Sequence, residues 1–479
     1  MDSYTMTKIV ATLGPASSSK EMIKKLYEAG VTMFRINSSH GDQEFHQKNL
    51  DCIRELEKEE HTLIPILLDL QGPKIRVGLL KDSIEIKKGE ILRFRHASEM
   101  VDGIIPVDYE GIAKDIKIGE KFLIDDGKLQ FEATGVNGDI ISAKVLTDGI
   151  LKQRKGINIP GATGSINVLT ERDLTFVDFA VKNKIDYLGL SFVREAKDVI
   201  QLREILKSKN SDIRIISKIE KPQAVNNIDN IIEASDGIMV ARGDLGIEIS
   251  TEQVPIVQKN IIRKANQKRK VVIVATQMLE SMTENPIPTR AETSDVANAI
   301  LDGTDAIMLS GETAMGAYPV EAVNMMHKIA ITTENSTFCR KNKFPRKMVD
   351  EEKNSQAMAI GMSIADMTKK MNVKAVVALT GSGFTPIFLS EARLSVPILA
   401  CCPDEHTLRA IKLYRSVLPI SFNFAEIKID RPTLQKLDEF LVHETSLNYD
   451  DLVIVTGSVP NLMVGGTNFI KIHQIGTAR

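Results

Sequence analysis

The chain has 479 residues, of which 43% are hydrophobic and 26% are charged, and its net charge at pH 7 is −2. Such a length exceeds one ordinary core, so we expect a soluble globular protein of two to four domains. The small net charge argues against a nucleic-acid-binding surface over the whole chain, and the absence of Trp disfavours base-stacking platforms, so we expect no nucleic-acid partner.

Cysteine usage and hydropathy predict a cytoplasmic protein. None of the four cysteines has a metal-binding spacing, and the adjacent Cys401 and Cys402 are poorly placed to bridge each other, so we expect free thiols in a reducing compartment. The first residues lack the basic and apolar segments of a signal peptide. No apolar run is long enough to span a membrane, so we expect no membrane partner.

The first 72 residues alternate strands, polar turns and helices. Strands are predicted at 7–13, 32–36 and 64–68, ending in Gly14-Pro15, Asn37-Ser-Ser-His-Gly41 and Asp69-Leu-Gln-Gly-Pro-Lys-Ile-Arg76. Helices are predicted from Lys20 to Gly30, after a serine N-cap, and over 46–60. This rhythm predicts a parallel sheet.

Between about residues 77 and 160 the pattern changes to short β-type runs, with no helix predicted. The runs cover 83–86, 91–94, 121–124 and 140–145, and Gly, Asp-Gly and Asn-Gly turns separate them. This pattern predicts a small all-β domain of β-barrel type inserted into the α/β domain, with hinges at Gly72-Pro73 and Pro160-Gly161.

The α/β rhythm then resumes with a capping box at Thr170-Glu-Arg-Asp173. Strands are predicted at 187–190, 213–219, 237–241, 271–275 and 306–309. An apolar stripe from Val254 to Ala265 has helical spacing and is interpreted as core. With the three earlier strands the total is eight, which predicts a closed (β/α)8 TIM barrel whose active site lies at the carboxyl ends of the strands.

A polar and basic stretch at 332–354 predicts a domain boundary. Beyond it, a helix at 356–367 and strands at 374–379, 397–400 and 452–455 predict an open α/β domain. The predicted organisation is a barrel formed by 1–72 and 162–340, an inserted lid domain at 73–161 and a C-terminal α/β regulatory domain at 341–479.

Charged side chains lie at the ends of two successive strands of the predicted barrel. Side chains alternate along a strand, so Lys218 and Glu220 point the same way and Ile219 points the other way. Such charges are costly to bury unless they bind something charged. The next strand opens into Gly243 and Asp244, which add close backbone approach and a second carboxylate. Salt bridges alone could explain either strand, but together they favour a site for Mg²⁺ and a phosphorylated anion.

The polar clusters at the strand ends form a set of motifs. They include Lys-Ile-Val-Ala-Thr-Leu-Gly-Pro at 8–15, Arg-Ile-Asn-Ser-Ser-His-Gly at 35–41, Ser-Lys-Ile-Glu at 217–220, Met-Val-Ala-Arg-Gly-Asp-Leu-Gly-Ile-Glu at 239–248, Ala-Thr-Gln-Met-Leu-Glu-Ser-Met at 275–282 and Met-Leu-Ser-Gly-Glu-Thr-Ala at 308–314. Together they resemble the pyruvate kinase family over the whole barrel and, more loosely, the C-terminal domain. The resemblance implies transfer of the phosphoryl group of phosphoenolpyruvate to ADP, giving pyruvate and ATP in glycolysis.

The resemblance also implies roles for charged residues. Lys218 would contact the transferred group, with Arg35 and Arg76 on the phosphate oxygens. Phosphoryl transfer suits such residues because it needs positive charge around the moving group rather than a covalent partner. Glu220 and Asp244 would be the ligands of Mg²⁺ (or Mn²⁺).

The substrate carboxylate would be bound by the main-chain N–H groups of Gly243 and Asp244 and by the hydroxyl of Thr276. By resemblance, Thr276 and Ser310 lie near the path of enolate protonation, and the proton donor is left open. Ser310 could instead be only a helix N-cap.

A nucleotide site is implied in the same way. The corresponding residues are Thr12, Pro15, Asn37, His40, Phe45, Arg76, Arg154 and Lys155. His40 beside a helix start could equally be structural, and the basic pair Arg154 and Lys155 could be a solvated face. That pair belongs to the insert, which we expect to close over the substrates as a lid and exclude water.

The sequence departs from the family at its monovalent-cation site. Members that need K⁺ bind it with residues matching Asn37, Ser39, Asp69 and the main chain of Leu70, and carry a Glu where this chain has Lys74. A fixed ammonium would repel an added K⁺. We therefore expect Lys74 to substitute for the cation and activity not to require K⁺, although a surface lysine without a role is the alternative.

A glycine-rich turn in the C-terminal domain could bind a phosphorylated effector. Its residues are Thr380, Gly381, Ser382, Gly383 and Thr385, and residues 456–458 and 465–467 could complete the pocket. By resemblance alone we expect a homotetramer.

Two other functions fit parts of the pattern. A Mg²⁺-dependent aldolase-type barrel also pairs Glu and Asp with Arg, but it needs neither an inserted lid nor the paired Arg35 and Arg76. A catalytically silent effector sensor could keep the fold, but the fold alone would not require Lys218, Glu220, Asp244 and Thr276.

Overall fold

The computed structural model describes residues 4–159, 167–341, 355–423, 431–458 and 466–477. The chain begins with alternating strands and helices: β1 (Lys8–Leu13), α1 (Lys20–Glu28), β2 (Met33–Asn37), α2 (Gln43–Glu59) and β3 (Ile66–Asp69). The side chains of Ser19 and Asp42 begin the two helices, because each accepts a hydrogen bond from a main-chain N–H three residues later.

The insert follows β3. Its elements are β4 (Ile84–Ile86), β5 (Ile91–His96), β6 (Ile105–Val107), α3 (Ile112–Asp115), β7 (Lys121–Ile124), β8 (Leu129–Asn137), β9 (Ile140–Val145), β10 (Gly149–Leu151) and β11 (Ile157–Asn158). Six strands form a sheet in the order β11, β7, β8, β9, β5, β6, while β4 pairs with β10. Bridges from Arg76 to Gly156 and from Val77 to Val107 connect one segment to both ends of the sheet. The expected β-barrel is therefore closed only by isolated bridges, and the short helix α3 corrects the expectation of a helix-free insert.

In the second part of the barrel, one or more helices again follow each strand. Its elements are α4 (Glu171–Lys182), β12 (Tyr187–Leu190), α5 (Ala196–Ser208), β13 (Arg214–Ile219), α6 (Pro222–Asn226), α7 (Ile228–Ala234), β14 (Gly237–Ala241), α8 (Arg242–Glu248), α9 (Val254–Gln267), β15 (Val271–Ala275), α10 (Arg290–Asp302), β16 (Ala306–Leu309), α11 (Gly311–Ala314), α12 (Pro319–Asn335) and α13 (Thr337–Lys341). The predicted capping box at Thr170 and Asp173 is present at the start of α4.

Eight parallel strands close the barrel in the order β1, β16, β15, β14, β13, β12, β3, β2, which confirms the predicted fold. The side chains of the barrel strands point alternately into the barrel and toward the surrounding helices. Ile216 and Met239 belong to the apolar cluster inside the barrel, whereas Ile215 and Ile219 pack with the surrounding helices. Lys218 shares the inward parity of Ile216, as the alternation predicts. The carboxyl ends of all eight strands therefore meet at one rim.

The C-terminal domain contains α14 (Ser355–Lys370), β17 (Val373–Leu379), α15 (Phe384–Glu391), β18 (Ile398–Cys402), α16 (Glu405–Ile411), β19 (Val417–Ser421), α17 (Arg431–Glu444), β20 (Leu452–Gly457) and β21 (Phe469–Gln474). Its sheet has the order β19, β18, β17, β20, β21 and is parallel except for β21. The polar stretch at 332–354 is helical in its first part, because α12 and α13 extend to Lys341. The rest of that stretch, like the predicted hinge at Pro160-Gly161, lies outside the described residues.

The C-terminal domain covers the amino ends of the barrel strands. The hydroxyl of Tyr187, at the start of β12, donates to the carbonyl of Ala410 at 2.5 Å. Arg393 lies 2.9 Å from the carboxylate of Asp305, just before β16. This arrangement leaves the opposite rim of the barrel to the insert. In the described parts of the chain, no helix is both long and apolar enough to cross a membrane.

Candidate active site

A buried ion cluster lies at the carboxyl ends of β2, β3 and β13. Asp69, which is 1% exposed, accepts hydrogen bonds from Arg35. The Nε of Arg35 lies 2.9 Å from Oδ2 of Asp69. The Nζ of Lys218 lies 3.3 Å from the same oxygen, 2.8 Å from Oε1 of Glu220 and 2.8 Å from Oγ of Ser191. The structure therefore brings together charged residues that are up to 185 positions apart in the chain (220 − 35).

The charges of the cluster hold Lys218 in its protonated form. Burial alone would lower the pKa of Lys218, but the charges of Asp69 and Glu220 outweigh burial and raise this pKa above its ordinary value. Burial would likewise raise the pKa of Asp69, but Lys218 and Arg35 lower it. A fixed ammonium is thus available where an anionic substrate would lie.

Glu220 and Asp244 form a pair of carboxylates beside this ammonium. Burial raises the pKa of Glu220, and the charge of Asp244 adds to that effect against the opposing charge of Lys218. A divalent cation would relieve this repulsion, so the two carboxylates fit the expected Mg²⁺. In the described part of the chain, no group of three or more His, Cys, Asp and Glu side chains could hold a metal. The remaining ligands would then come from substrate and water.

The segment that follows β14 is a helix. Asp244 lies in the first turn of α8, which begins directly at Arg242. The N–H of Gly243 donates to Oγ1 of Thr276 at 2.7 Å, so the two groups expected to bind a carboxylate are adjacent. Asp244 is also in the turn where a helix favours negative charge.

Thr276 and Gln277 follow β15 in an uncommon backbone conformation. Their φ angles are +68° and +53°, in the left-handed region that non-glycine residues rarely adopt. Arg242 holds this turn, because its NH2 donates to the carbonyl of Thr276 at 2.8 Å and to that of Gln277 at 3.1 Å. Its NH1 lies 2.6 Å from Oδ2 of Asp295. Sequence reasoning missed both Arg242 and Asp295, since nothing local indicates a contact between residues so far apart.

Ser310 precedes α11, but its side chain makes no capping hydrogen bond. Its Oγ is buried and has no hydrogen-bond partner among the described residues. Its N–H donates instead to Oε2 of Glu312 at 2.7 Å, and burial raises the pKa of that carboxyl. Ser310 therefore occupies the N-cap position of α11, as the alternative interpretation has it, but its hydroxyl does not cap the helix.

The expected nucleotide residues fall into two groups. Thr12 is 3% exposed, and its Oγ1 accepts from Arg35 at 3.0 Å and donates to Leu309 at 2.8 Å, so here it supports Arg35 rather than presenting its hydroxyl to a ligand. Pro15 and His40 are exposed and Phe45 is half-buried. Burial and then the charges of Arg76, Lys74 and Arg35 lower the pKa of His40, which places these cations around it.

The insert contributes a basic edge to this region. NH1 of Arg76 donates to the carbonyl of Arg154 at 3.1 Å, and Nζ of Lys155 lies 2.7 Å from Oδ1 of Asp125. Lys155 is thus partly neutralised within the insert. The Arg76 side chain is therefore bonded within the insert.

The positions that match the family's K⁺ site lie side by side. Asn37 and Asp69 are opposite each other in the β2–β3 ladder, and Oδ1 of Asn37 accepts from the N–H of Ser39 at 3.1 Å. The carbonyl of Leu70 already accepts from Ser191 at 2.7 Å. Lys74 is exposed, and among the described residues no carboxylate lies within ion-pair distance of it. In this arrangement Lys74 therefore makes no ion pair with Asp69.

The glycine-rich turn of the C-terminal domain precedes α15. The N–H of Gly383 donates to Oγ1 of Thr380 at 2.9 Å, while Gly381 and Ser382 are exposed. The hydroxyls of Thr385 and Thr467 lie 2.8 Å apart, so the structure brings the turn and the described part of 465–467 together. Gly465 lies outside the described residues.

A contact missed by sequence reasoning joins the insert to the rim. Nδ2 of Asn158, in β11, donates to Oε1 of Glu248 at 3.1 Å. Nζ of Lys221 lies 2.5 Å from the same oxygen. Glu248 ends α8, which carries Asp244, and Lys221 follows Glu220, so one carboxylate connects the insert with both expected metal ligands.

Comparison with known proteins identifies the family. A family model described as "Pyruvate kinase, barrel domain" matches residues 4–323, and one described as "Pyruvate kinase, alpha/beta domain" matches residues 358–473. Pyruvate kinases of Sporosarcina psychrophila and Staphylococcus aureus (strain MRSA252) are 42% and 41% identical, covering 98% of this chain and 80% of theirs. The crystal structure of a pyruvate kinase from Cryptosporidium parvum matches with a TM-score of 0.88 and 35% identity, over 98% of this chain and 96% of that one. The chain belongs to the pyruvate kinase family.

Proposed function

We propose that this chain transfers the phosphoryl group of phosphoenolpyruvate to ADP, giving pyruvate and ATP, as the names of its relatives indicate. The single observation that carries the proposal is the Lys218 ammonium held between Asp69, Glu220 and Ser191 at the barrel rim. Lys218 neutralises charge on the transferred group, and Arg35, oriented by Asp69 and Thr12, lies beside it.

Glu220 and Asp244 are the residues that would hold Mg²⁺ (or Mn²⁺). When bound, the cation supplies positive charge near the carboxylate and phosphoryl oxygens of the substrate. The N–H of Gly243 and the Thr276 hydroxyl, now bonded to each other, are available to the substrate carboxylate once they separate. The hydroxyl of Ser310, which has no hydrogen-bond partner in the described part of the chain, is a candidate for delivering the proton to the enolate, with Thr276 as the alternative.

The insert acts as a lid over the nucleotide. Arg76, Arg154 and Lys155 approach its phosphates, while Pro15, Asn37, His40 and Phe45 lie on the barrel side. Closing the lid excludes water, which favours transfer to ADP over hydrolysis. The protein acts in glycolysis in the cytoplasm as a homotetramer, and the turn at 380–385 binds a phosphorylated effector.

The activity does not require K⁺, because Lys74 supplies a fixed positive charge in this region, where burial and then the charges of Arg76 and Lys74 lower the pKa of His40. The rate of pyruvate formation with K⁺ is expected to stay within about twofold of that with a large organic cation at equal ionic strength. Lys74→Glu, the family alternative, is expected to create K⁺ activation. A large K⁺ activation of the unaltered protein would contradict the role of Lys74.

A coupled assay of pyruvate formation from phosphoenolpyruvate and ADP with Mg²⁺ tests the function. We expect turnover that is lost when Mg²⁺ is chelated. Absence of turnover with every cation and sugar phosphate tried would favour a silent effector sensor. Cleavage or condensation of carbonyl substrates, without ATP formation, would favour the aldolase-type barrel.

A further inference from the structure

The loop that follows β12 contacts the segment through which the chain leaves the barrel and enters the insert. In this loop Phe192 has a φ of +58°, which is uncommon for a bulky residue and persists only where the surroundings hold it. Oγ of the preceding Ser191 donates to the carbonyl of Leu70 at 2.7 Å and accepts from Lys218 at 2.8 Å. The loop therefore lies between the Lys218 ammonium and the start of the insert.

The ring of Phe192 packs against this first crossing between barrel and insert. Gly72, in the predicted hinge Gly72-Pro73, has a φ of +68°, and a Cβ at this position would lie only 2.6 Å from Cδ2 of Phe192. The backbone of the hinge thus passes directly over the ring. Since hinge residues absorb the change in backbone angles when a lid moves, movement at Gly72 acts on Phe192.

The second crossing reaches the same ring through two charged side chains. Asn158 of β11 donates to Oε1 of Glu248 at 3.1 Å, and Nζ of Lys221 lies 2.5 Å from that oxygen. The same Nζ lies 5.3 Å from the centre of the Phe192 ring, within the range of a cation–π contact. Both crossings between barrel and insert are therefore connected to Phe192.

The main chain of Phe192 contacts an expected metal ligand. Its N–H donates to Oε2 of Glu220 at 2.9 Å, and Glu220 is only 2% exposed. Hydrogen bonds of this kind orient the carboxylates that bind metals, and losing one commonly weakens metal affinity by about 10- to 100-fold. The orientation of Glu220 thus depends on where the backbone of Phe192 lies.

We propose that Phe192 is a positioning residue that couples the insert to the metal-binding carboxylate of Glu220. Its ring contacts both crossings, and its N–H orients the carboxylate, so displacement of the insert changes the affinity for the divalent cation. The inference rests on the proposed function, in which Glu220 binds that cation. A competing route exists, because Lys221 follows Glu220 directly and could transmit the same displacement through the chain without the ring.

Mn²⁺ binding to the full chain without substrates tests the coupling, with free Mn²⁺ measured by electron paramagnetic resonance. Phe192→Leu removes the ring and keeps an apolar side chain, and we expect it to weaken Mn²⁺ binding by about tenfold. Asn158→Ala is expected to weaken binding by about threefold in the unaltered protein and by less than about 1.5-fold when combined with Phe192→Leu. If Phe192→Leu fails to fold, Phe192→Met takes its place.

Two control variants make the result specific. Tyr27→Leu removes a half-buried ring from α1, and Asn137→Ala removes an exposed amide from the end of β8; both are expected to leave Mn²⁺ binding unchanged. The proposal is overturned if Phe192→Leu binds Mn²⁺ as the unaltered protein does, or if Asn158→Ala has no effect. It is also overturned if Asn158→Ala has the same effect with and without the ring, which would assign the coupling to Lys221.

Failure of the metal site itself gives a different result. Glu220→Gln removes one of the two carboxylates and is expected to abolish most of the Mn²⁺ binding. If Mn²⁺ binds as tightly to Glu220→Gln as to the unaltered protein, the proposed metal site is wrong, and the role of Phe192 is overturned with it. Binding that depends on Glu220 but not on Phe192 overturns this inference alone.

Discussion

Arg242 is the residue that fixes the geometry of the turn at Thr276 and Gln277, which we propose to bind the substrate carboxylate. Thr276 is β-branched, and a φ of +68° is strained for such a residue. Backbone strain of this kind persists only where the surroundings hold it. Arg242 does so with hydrogen bonds to two successive carbonyls and an ion pair to Asp295. It is a positioning residue that acts through Thr276.

Arg242→Lys tests this role. Lysine keeps the charge but cannot reach both carbonyls and Asp295 at once, because it lacks the planar fork of arginine. We expect the KM for phosphoenolpyruvate to rise by about tenfold while the KM for ADP changes little. Steady-state kinetics with each substrate varied in turn measures the two KM values separately. Arg263→Lys, on the exposed side of α9, serves as control. Equal changes in both KM values would indicate a general structural defect instead.

Among the elements, β11 of the insert contacts α8 at the rim of the barrel. Asn158 donates to Glu248, which also pairs with Lys221. Glu248 is buried at 6% exposure, so the pair is little screened by solvent. Removing the amide loosens the insert without changing a charge.

Asn158→Ala is therefore expected to raise the KM for ADP several-fold, about threefold to tenfold, with the affinity for phosphoenolpyruvate less affected. Kinetic titrations of ADP at saturating phosphoenolpyruvate measure the effect. Asn137→Ala, at the exposed end of β8, is the matched control. An unchanged KM for ADP in Asn158→Ala would show that the contact does not govern the lid.

The sequence predicts the barrel strands well because buried parallel strands are short, apolar and β-branched. It misses β19, whose run contains Pro419, and β21, whose side chains are mostly half-exposed or exposed. It also misses α8, because Gly243 and Gly246 are weak helix formers and the end of β14 fixes the start of that helix. Site residues next to strand ends were predicted, whereas Arg242, Asp295 and Glu248 depend on tertiary contacts.

At the scale of the whole molecule, buried charges join the barrel to the C-terminal domain. Lys8, 1% exposed, donates to the hydroxyl of Tyr4 at 2.6 Å and the carbonyl of Val417 at 2.7 Å. Burial and the charge of Lys412 lower the pKa of Lys8 to about 7, against the opposing charge of Glu334. In the unfolded chain the pKa of this lysine is about 10.4.

Stability is therefore expected to depend on pH through Lys8. Between about pH 7 and pH 10 the unfolded state binds the proton that the folded state has lost, so the free energy of unfolding rises with pH. Lys8→Met removes this gain. The difference in the free energy of unfolding between the unaltered protein and Lys8→Met should therefore change by up to about 1.4 kcal/mol per pH unit. Urea unfolding near both ends of this window measures it, with Lys182→Met, an exposed lysine of α4, as control. If the difference in the free energy of unfolding between the two proteins is the same at both ends of this pH window, the lowered pKa of Lys8 is contradicted.

The central claim is that the Lys218 ammonium neutralises the migrating phosphoryl group. The most direct test is the kcat of Lys218→Met for pyruvate formation, compared with Lys264→Met, a variant of a lysine on α9 that pairs with Asp229 far from the rim. With folding verified by circular dichroism, we predict that kcat falls by about a thousandfold or more in Lys218→Met and stays unchanged in Lys264→Met. A folded Lys218→Met protein whose kcat remains within about tenfold of the unaltered enzyme would contradict the claim.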